Sequence, residues 1–274
     1  PICNEGTTEF VGVYLQDQIE LTDQLQLVLG LRYDNFRVDF LNRRTNVRIE
    51  TEDDLWSPRA GLIYKPAQDV SLYASYAVSY LPRSGVQFTS LTPTNAAFEP
   101  EKFTNYEIGA KWQILPALQL DVAVFQLERA NIIVTDPNNP AQSILVDGQE
   151  TRGVEFSLSG ELAEGWSVIA SYGYLDTELV ASATAAPTEA ANAPHHTLGL
   201  WNKVQFTPEF AAALGVIHQS ARFAGIDNTV RLPGFTRVDL AVFYDVNESL
   251  ALQLNVENLF DETYFPNEIG RAHV

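Results

Sequence analysis

Two adjacent histidines, one acidic run and an excess of arginine are the residues of this chain with chemistry to offer. His195 and His196 could ligate a metal. Successive side chains of a strand point to opposite faces, however, so the two imidazoles do not share an ion easily, and the sequence reads them as rim residues where a long connection enters a strand. The run Glu50-Thr51-Glu52-Asp53-Asp54 could hold a divalent cation, although such runs more often make a solvated loop. Of the 17 basic residues 13 are arginine, the side chain that pairs bidentately with carboxylates and planar anions. There is no Gly-x-Ser-x-Gly elbow, no His-Glu-x-x-His and no phosphate-cradling glycine loop, so nothing points to an enzyme.

Composition narrows the classes further. The 274 residues carry 35 carboxylates against 17 Lys and Arg, for a net charge of -18, and no basic run stands where a phosphate backbone could lie; nucleic acid is excluded as the expected partner. A single Cys3 rules out an internal disulfide framework and a cysteine-based zinc site. No apolar stretch approaches the roughly 18 to 20 residues of a membrane-spanning helix, and no signal peptide opens the chain. The chain begins at Pro1 and contains no Met, which reads as a piece of a longer reading frame.

The elements that must position these residues are strands. In Leu25 to Tyr33, Leu25, Leu27, Leu29, Leu31 and Tyr33 share one face and Gln26, Val28, Gly30 and Arg32 the other, a period of two. The pattern recurs at 70–80 and 250–257. Tight turns at Thr22-Asp23-Gln24, 66–69, 115–117, 161–165, 207–209 and 246–248 alternate with long connections at 41–55, 82–101, 135–142, 179–193 and 223–232. About twelve strands are predicted, near 10–22, 25–40, 56–65, 70–81, 103–114, 118–134, 143–160, 166–178, 195–206, 210–222, 234–245 and 249–259.

A soluble antiparallel sandwich would also alternate. Two details favour a membrane barrel. Tyr64, Trp112, Trp166, Phe206, Phe210 and Tyr244 gather beside the tight turns, while Tyr76, Tyr80, Tyr172 and Tyr174 lie at the opposite ends, as two interfacial girdles would. His218, in register with Leu214 and Val216, joins them. The polar face, with Asn105, Glu107, Lys111, Gln113, Arg237 and Asp239, suits a wet lumen better than a dry core. Strands of 10 to 12 residues match a tilted membrane crossing. The fold class is all-β, an antiparallel transmembrane β-barrel.

Four strings carry a family resemblance: Tyr14-Leu15-Gln16-Asp17-Gln18 with Gly30-Leu31-Arg32-Tyr33-Asp34; Phe98-Glu99-Pro100-Glu101 with Tyr106-Glu107-Ile108-Gly109-Ala110-Lys111; Thr151-Arg152-Gly153-Val154-Glu155; and Asn255-Val256-Glu257-Asn258-Leu259-Phe260-Asp261-Glu262-Thr263-Tyr264. In order and spacing they resemble the TonB-dependent outer-membrane receptors, in the siderophore branch, with catecholate-type receptors most similar. The resemblance implies a 22-stranded barrel filled by an N-terminal plug. This chain would supply about twelve of its strands, incomplete at both ends, over 1–268. The plug, the box that TonB grips and the final strand ending in an aromatic residue are absent. Ile269 to Val274 read as a non-native tail, because a common sequencing adapter would encode them.

The implied function is uptake of ferric siderophores at the outer membrane of a Gram-negative bacterium, without covalent catalysis or cofactor. The implied partners are TonB, reached through the plug, together with the ferric siderophore and outer-membrane lipid and lipopolysaccharide; the complete barrel would be monomeric. Ferric siderophores are often anionic and aromatic, which directs attention to arginine beside aromatic rings near the outer mouth. Arg83 and Phe88, and Arg222, Phe223 and Arg231, fit that description. Wall salt bridges or lipopolysaccharide contacts explain any one of them equally well. The alternatives are another cargo (cobalamin, haem or an oligosaccharide), a passive porin, or a soluble all-β binding module.

Overall fold

The computed structural model describes residues 4–82, 99–136, 139–180 and 186–265, with side chains at 133–147 left aside. Arg83, Phe88 and the tail 269–274 lie outside the described residues. The strands are β1 (Asn4–Thr22), β2 (Leu25–Asn42), β3 (Val47–Ala67), β4 (Val70–Leu81), β5 (Glu101–Leu115), β6 (Leu118–Asp136), β7 (Asn139–Ala163), β8 (Trp166–Val180), β9 (His196–Gln205), β10 (Phe210–Gln219), β11 (Arg222–Phe223), β12 (Arg231–Leu232), β13 (Phe235–Asn247) and β14 (Leu250–Val256). Twelve of them form one antiparallel meander in the order β1 to β10, β13, β14, while β11 and β12 make a separate small hairpin. The strands β1 and β14 stand at the two edges of the sheet.

Side chains that satisfy backbone groups place the tight turns. The Thr22 hydroxyl accepts from the amides of Gln24 and Leu25, and Asn247 Oδ1 accepts from Ser249. The Thr207 hydroxyl likewise accepts from Glu209 and Phe210. Such short polar side chains turn the chain by replacing the ladder bonds it gives up. At Gly160 in β7 only glycine fits: its φ is 134° and an added Cβ would lie 1.9 Å from the Ala117 carbonyl oxygen.

Leucines face outward without cover on β2 and β14, Leu252 and Leu254 being 54% and 61% exposed. A water-soluble sheet seldom leaves so long an apolar stripe bare; a lipid-facing one requires it. The stripe is bounded by aromatics on both sides. Near the tight turns, the Trp112 indole donates to Asp69 and the Trp166 indole to Asn202. At the other end Tyr33 lies 4.7 Å from Trp56 and Tyr76 lies 5.2 Å from Tyr106, ring to ring. Tyr172 Oη sits 2.9 Å from His196 Nδ1. An apolar ring with a polar tip is most stable at such a boundary.

Beyond Tyr33 and Trp56 the polarity of the two faces inverts. The outward register of β2 and β3, leucine-rich below, becomes Asn35, Arg37, Asp39, Glu50, Glu52 and Asp54, while Val38, Phe40 and Ile49 pack with Phe36 on the inner side. On β8, Asp176 and Glu178 likewise stay exposed while Thr177 and Leu179 are buried. Above the membrane, water lies outside the wall, so burial is available only towards the mouth.

This inversion corrects the expected loop at 41–55. The β2–β3 ladder runs to Asn42 and Val47, with only residues 43–46 turning. The acidic run is a strand whose carboxylates find donors: across the ladder Asn35 bonds Glu52 and Asp54, Tyr33 bonds Asp54 and Arg37 bonds Glu52, while Arg48 of the same strand pairs with Glu50 and reaches across to Asp39. Opposite charges on facing strands stabilise the ladder that a run of carboxylates alone would disfavour. The connection near 135–142 is similarly strand, with β6 reaching Asp136 and β7 beginning at Asn139. In the other direction β14 stops at Val256, short of the predicted 259.

Candidate functional site

The end of the sheet opposite the tight turns gathers its connections into one mouth. There the β11–β12 hairpin pairs Arg222 with Leu232 and Phe223 with Arg231, so the structure brings three of the sequence-selected residues together. Their environments differ. Arg222 is 4% exposed and donates through Nη2 to the Phe265 carbonyl at 2.8 Å, whereas the Arg231 side chain is exposed. Phe223 accepts the Asn192 amide at its carbonyl. In the hairpin loop the Thr229 hydroxyl and amide hold the Asp227 carboxyl below the usual carboxylate range.

The segment from Asn258 to Phe265 folds back across the inner face of β13. Asn258, at φ 54°, donates its amide to Asp239 and closes a ring with Glu262 through its own carboxamide, at 2.9 Å in each direction. Tyr264 stacks on Phe235 at 4.6 Å, and its hydroxyl accepts from Arg237, which also pairs with Asp239 at 2.8 Å. The string Asn258 to Tyr264 is therefore a fastener, holding the chain against the wall where β14 ends. Its residues are legible in the sequence as a string, but the spatial partner Arg237 is not.

Elsewhere at this end of the sheet, Phe103 and Arg129 face each other across β5 and β6, the guanidinium 5.5 Å from the ring centroid and paired with Glu101 at 2.6 Å. Sequence reasoning passed over Arg129 because its aromatic neighbour lies on the adjacent strand. The lumen-facing wall below is polar, as expected. Tyr73 donates to Glu107 at 2.6 Å and lies over Gly109, directly across the ladder, while Lys111 approaches Asp121 at 3.8 Å. A trough of about 690 Å³ runs along this wall past Gln18, Gln26, Arg59, Tyr73, Glu107 and Lys111. Phe125 and Trp201 lie over Gly153 and Gly215 in the same manner as Tyr73 over Gly109.

His195 and His196 sit at the rim, as expected, with Tyr174 beside both rings. Among the described residues no group of three or more His, Cys, Asp or Glu could hold a metal. His218 bonds the Thr236 hydroxyl on the outward register.

An apolar outer band between aromatic girdles, a polar inner wall and a meander of long antiparallel strands define the class: an outer-membrane β-barrel wall. The family described as "TonB dependent receptor-like, beta-barrel" matches residues 4–259, and the chain belongs to it. It is 31% identical over 95% of its length to the probable TonB-dependent siderophore receptor PiuA of Acinetobacter baumannii, of which it covers 38%. It is 26% identical over 94% of its length to the catecholate siderophore receptor Fiu of Escherichia coli, covering 39% of that protein. The crystal structure of the A. baumannii receptor superposes with a TM-score of 0.85 at 30% identity, over 96% of this chain and 40% of that one. The ferripyoverdine receptor of Pseudomonas aeruginosa, bound to ferripyoverdine, gives 0.77 at 27%, over 96% and 36%. The chain thus spans about two fifths of the length of these relatives.

Proposed function

We propose that this chain is the barrel portion of a receptor that imports ferric siderophores across the outer membrane of a Gram-negative bacterium. The observation that carries the reading is the 31% identity to a siderophore receptor over 95% of the chain. Transport rather than covalent chemistry is the role, energised by TonB acting on a plug that fills the lumen. The polar trough along β1 to β5 is the wall such a plug would contact. At the mouth, Arg231 and Phe223 of the β11–β12 hairpin, with Arg222 behind them, offer a cation and an aromatic ring to an anionic, aromatic ligand. Arg83 and Phe88 complete the proposed ligand set. The overall charge of -18 repels anions, so capture depends on local positive potential at such groups. The charged outward face of the β2–β3 hairpin is the surface proposed to meet lipopolysaccharide, and the complete barrel is proposed to be a monomer.

Recovering the complete coding sequence tests this reading. A plug and a TonB box encoded upstream of residue 1 are expected. A complete gene that encodes no plug would overturn the receptor in favour of a passive porin. In binding assays with the complete receptor, Arg231→Ala should weaken ferric siderophore affinity about tenfold or more, the effect of losing one charge-assisted contact. Unchanged affinity would remove Arg231 from the site.

A further inference from the structure

The environment of His195 differs from that of the other described histidines. Its Nδ1 lies 2.7 Å from the Leu175 carbonyl oxygen, and its Nε2 lies 3.2 Å from Oε2 of Glu189. A carbonyl only accepts, so Nδ1 carries a hydrogen. A neutral ring with that hydrogen would aim the Nε2 lone pair at a carboxylate, which is repulsive; a ring protonated on both nitrogens satisfies both neighbours. His196 and His218 instead face the hydroxyls of Tyr172 and Thr236, which donate or accept as required, so a neutral imidazole suits both.

Glu189 is also where two connections of the mouth meet. Its amide donates to Asn228 Oδ1 at 2.7 Å and its carbonyl accepts from Asn228 Nδ2 at 3.0 Å, which joins it to the β11–β12 loop. The next residue, Ala190, donates its amide to the buried Thr177 hydroxyl, and the Asn192 amide reaches the Phe223 carbonyl. The titratable groups around His195 are Glu189, Tyr174, whose ring stacks at 6.3 Å, and His196, with Asp176 following Leu175 on β8. The side chains of His195 and Glu189 are 34% and 36% exposed, so protons exchange with bulk water.

We propose that His195 is a protonation-sensitive latch of the outer mouth. As an imidazolium it binds Glu189 and, through Glu189 and Asn228, ties the connections 186–194 and 223–230 to the barrel wall. On losing its proton it gives up the Glu189 carboxylate, which loosens the connections while the Asn228, Thr177 and Leu179–Thr188 hydrogen bonds stay in place. The latch is closed when the imidazole carries both protons and loosened when it has lost one. The device is independent of cargo, so a barrel that carried another ligand would keep it.

The test uses the complete receptor in lipid nanodiscs, with Cys3→Ser and a nitroxide attached to a cysteine at Ala186. At about pH 5.5 the spectrum should be that of an immobilised label, and at about pH 8 rotation should be severalfold faster. His195→Gln and Glu189→Gln should each give the same spectrum at both pH values, while His196→Gln keeps the response. A wild-type spectrum independent of pH would overturn the proposal, as would a response that survives both latch substitutions or disappears with His196→Gln. Since no siderophore enters the measurement, its failure is separable from failure of the transport reading.

Discussion

At the scale of residues, the wall depends on a few positions where no other side chain fits. Gly160, at φ 134° with the Ala117 carbonyl in the place of its Cβ, is the clearest. Gly160→Ala should destabilise the complete barrel by about 1–3 kcal/mol, read as a lower temperature of heat-induced mobility shift on a gel. An unaltered transition would show that the β5–β6 turn, which carries Ala117, relaxes freely. Tyr264 matters for its contacts rather than for want of space. Tyr264→Phe keeps the stack on Phe235 but removes the hydroxyl that Arg237 bonds, and should cost about 1 kcal/mol in the same assay. An effect as large as that of Tyr264→Ala would place the whole contribution in the hydrogen bond. Little of this was legible beforehand: the string Asn258 to Tyr264 announces itself in sequence, yet its partners Phe235, Arg237 and Asp239 stand on another strand and become neighbours only through the β13–β14 register.

At the scale of elements, alternation made the strands readable wherever one face meets lipid, and β4, at Val70–Leu81, agrees with its expected bounds. Reading failed above the membrane, where the faces exchange character. The β2–β3 extension looked like a loop because four carboxylates crowd into 50–54, whereas donors on β2 and Arg48 beside them offset that charge. The Arg48 side chain, bonding Asp39, holds that carboxyl below its usual range, and hydrogen bonds from Asn35 and then Arg37 do the same for Glu52. Because both folded values are depressed, the stabilisation is present above the unfolded value of about 4 and is lost as pH falls through the folded values. Amides of 37–52 should therefore exchange faster, after correction for intrinsic rates, at about pH 3 than at about pH 6. Equal corrected rates would mean that the charge ladder contributes nothing to the hairpin. The mouth hairpin β11–β12 was not foreseen, since two-residue strands at Arg222–Phe223 and Arg231–Leu232 leave no periodicity to detect.

At the scale of the whole molecule, β1 and β14 present the two edges of a sheet whose outer face is apolar. Expressed alone, this chain should aggregate through those edges, checked by sedimentation after refolding in detergent. A monodisperse, cooperatively melting product would contradict that expectation. Family and architecture were legible because lipid imposes the same pattern on every strand; the ligand was not, because a binding mouth is assembled from connections that obey no such period. The central claim is energised import of a ferric siderophore. Its most direct test is uptake of radiolabelled iron, presented as ferric siderophore, by cells whose only siderophore receptor is the complete protein, with and without TonB. Saturable uptake that disappears without TonB is the expected result; uptake indifferent to TonB, or none for any ferric siderophore offered, would contradict it.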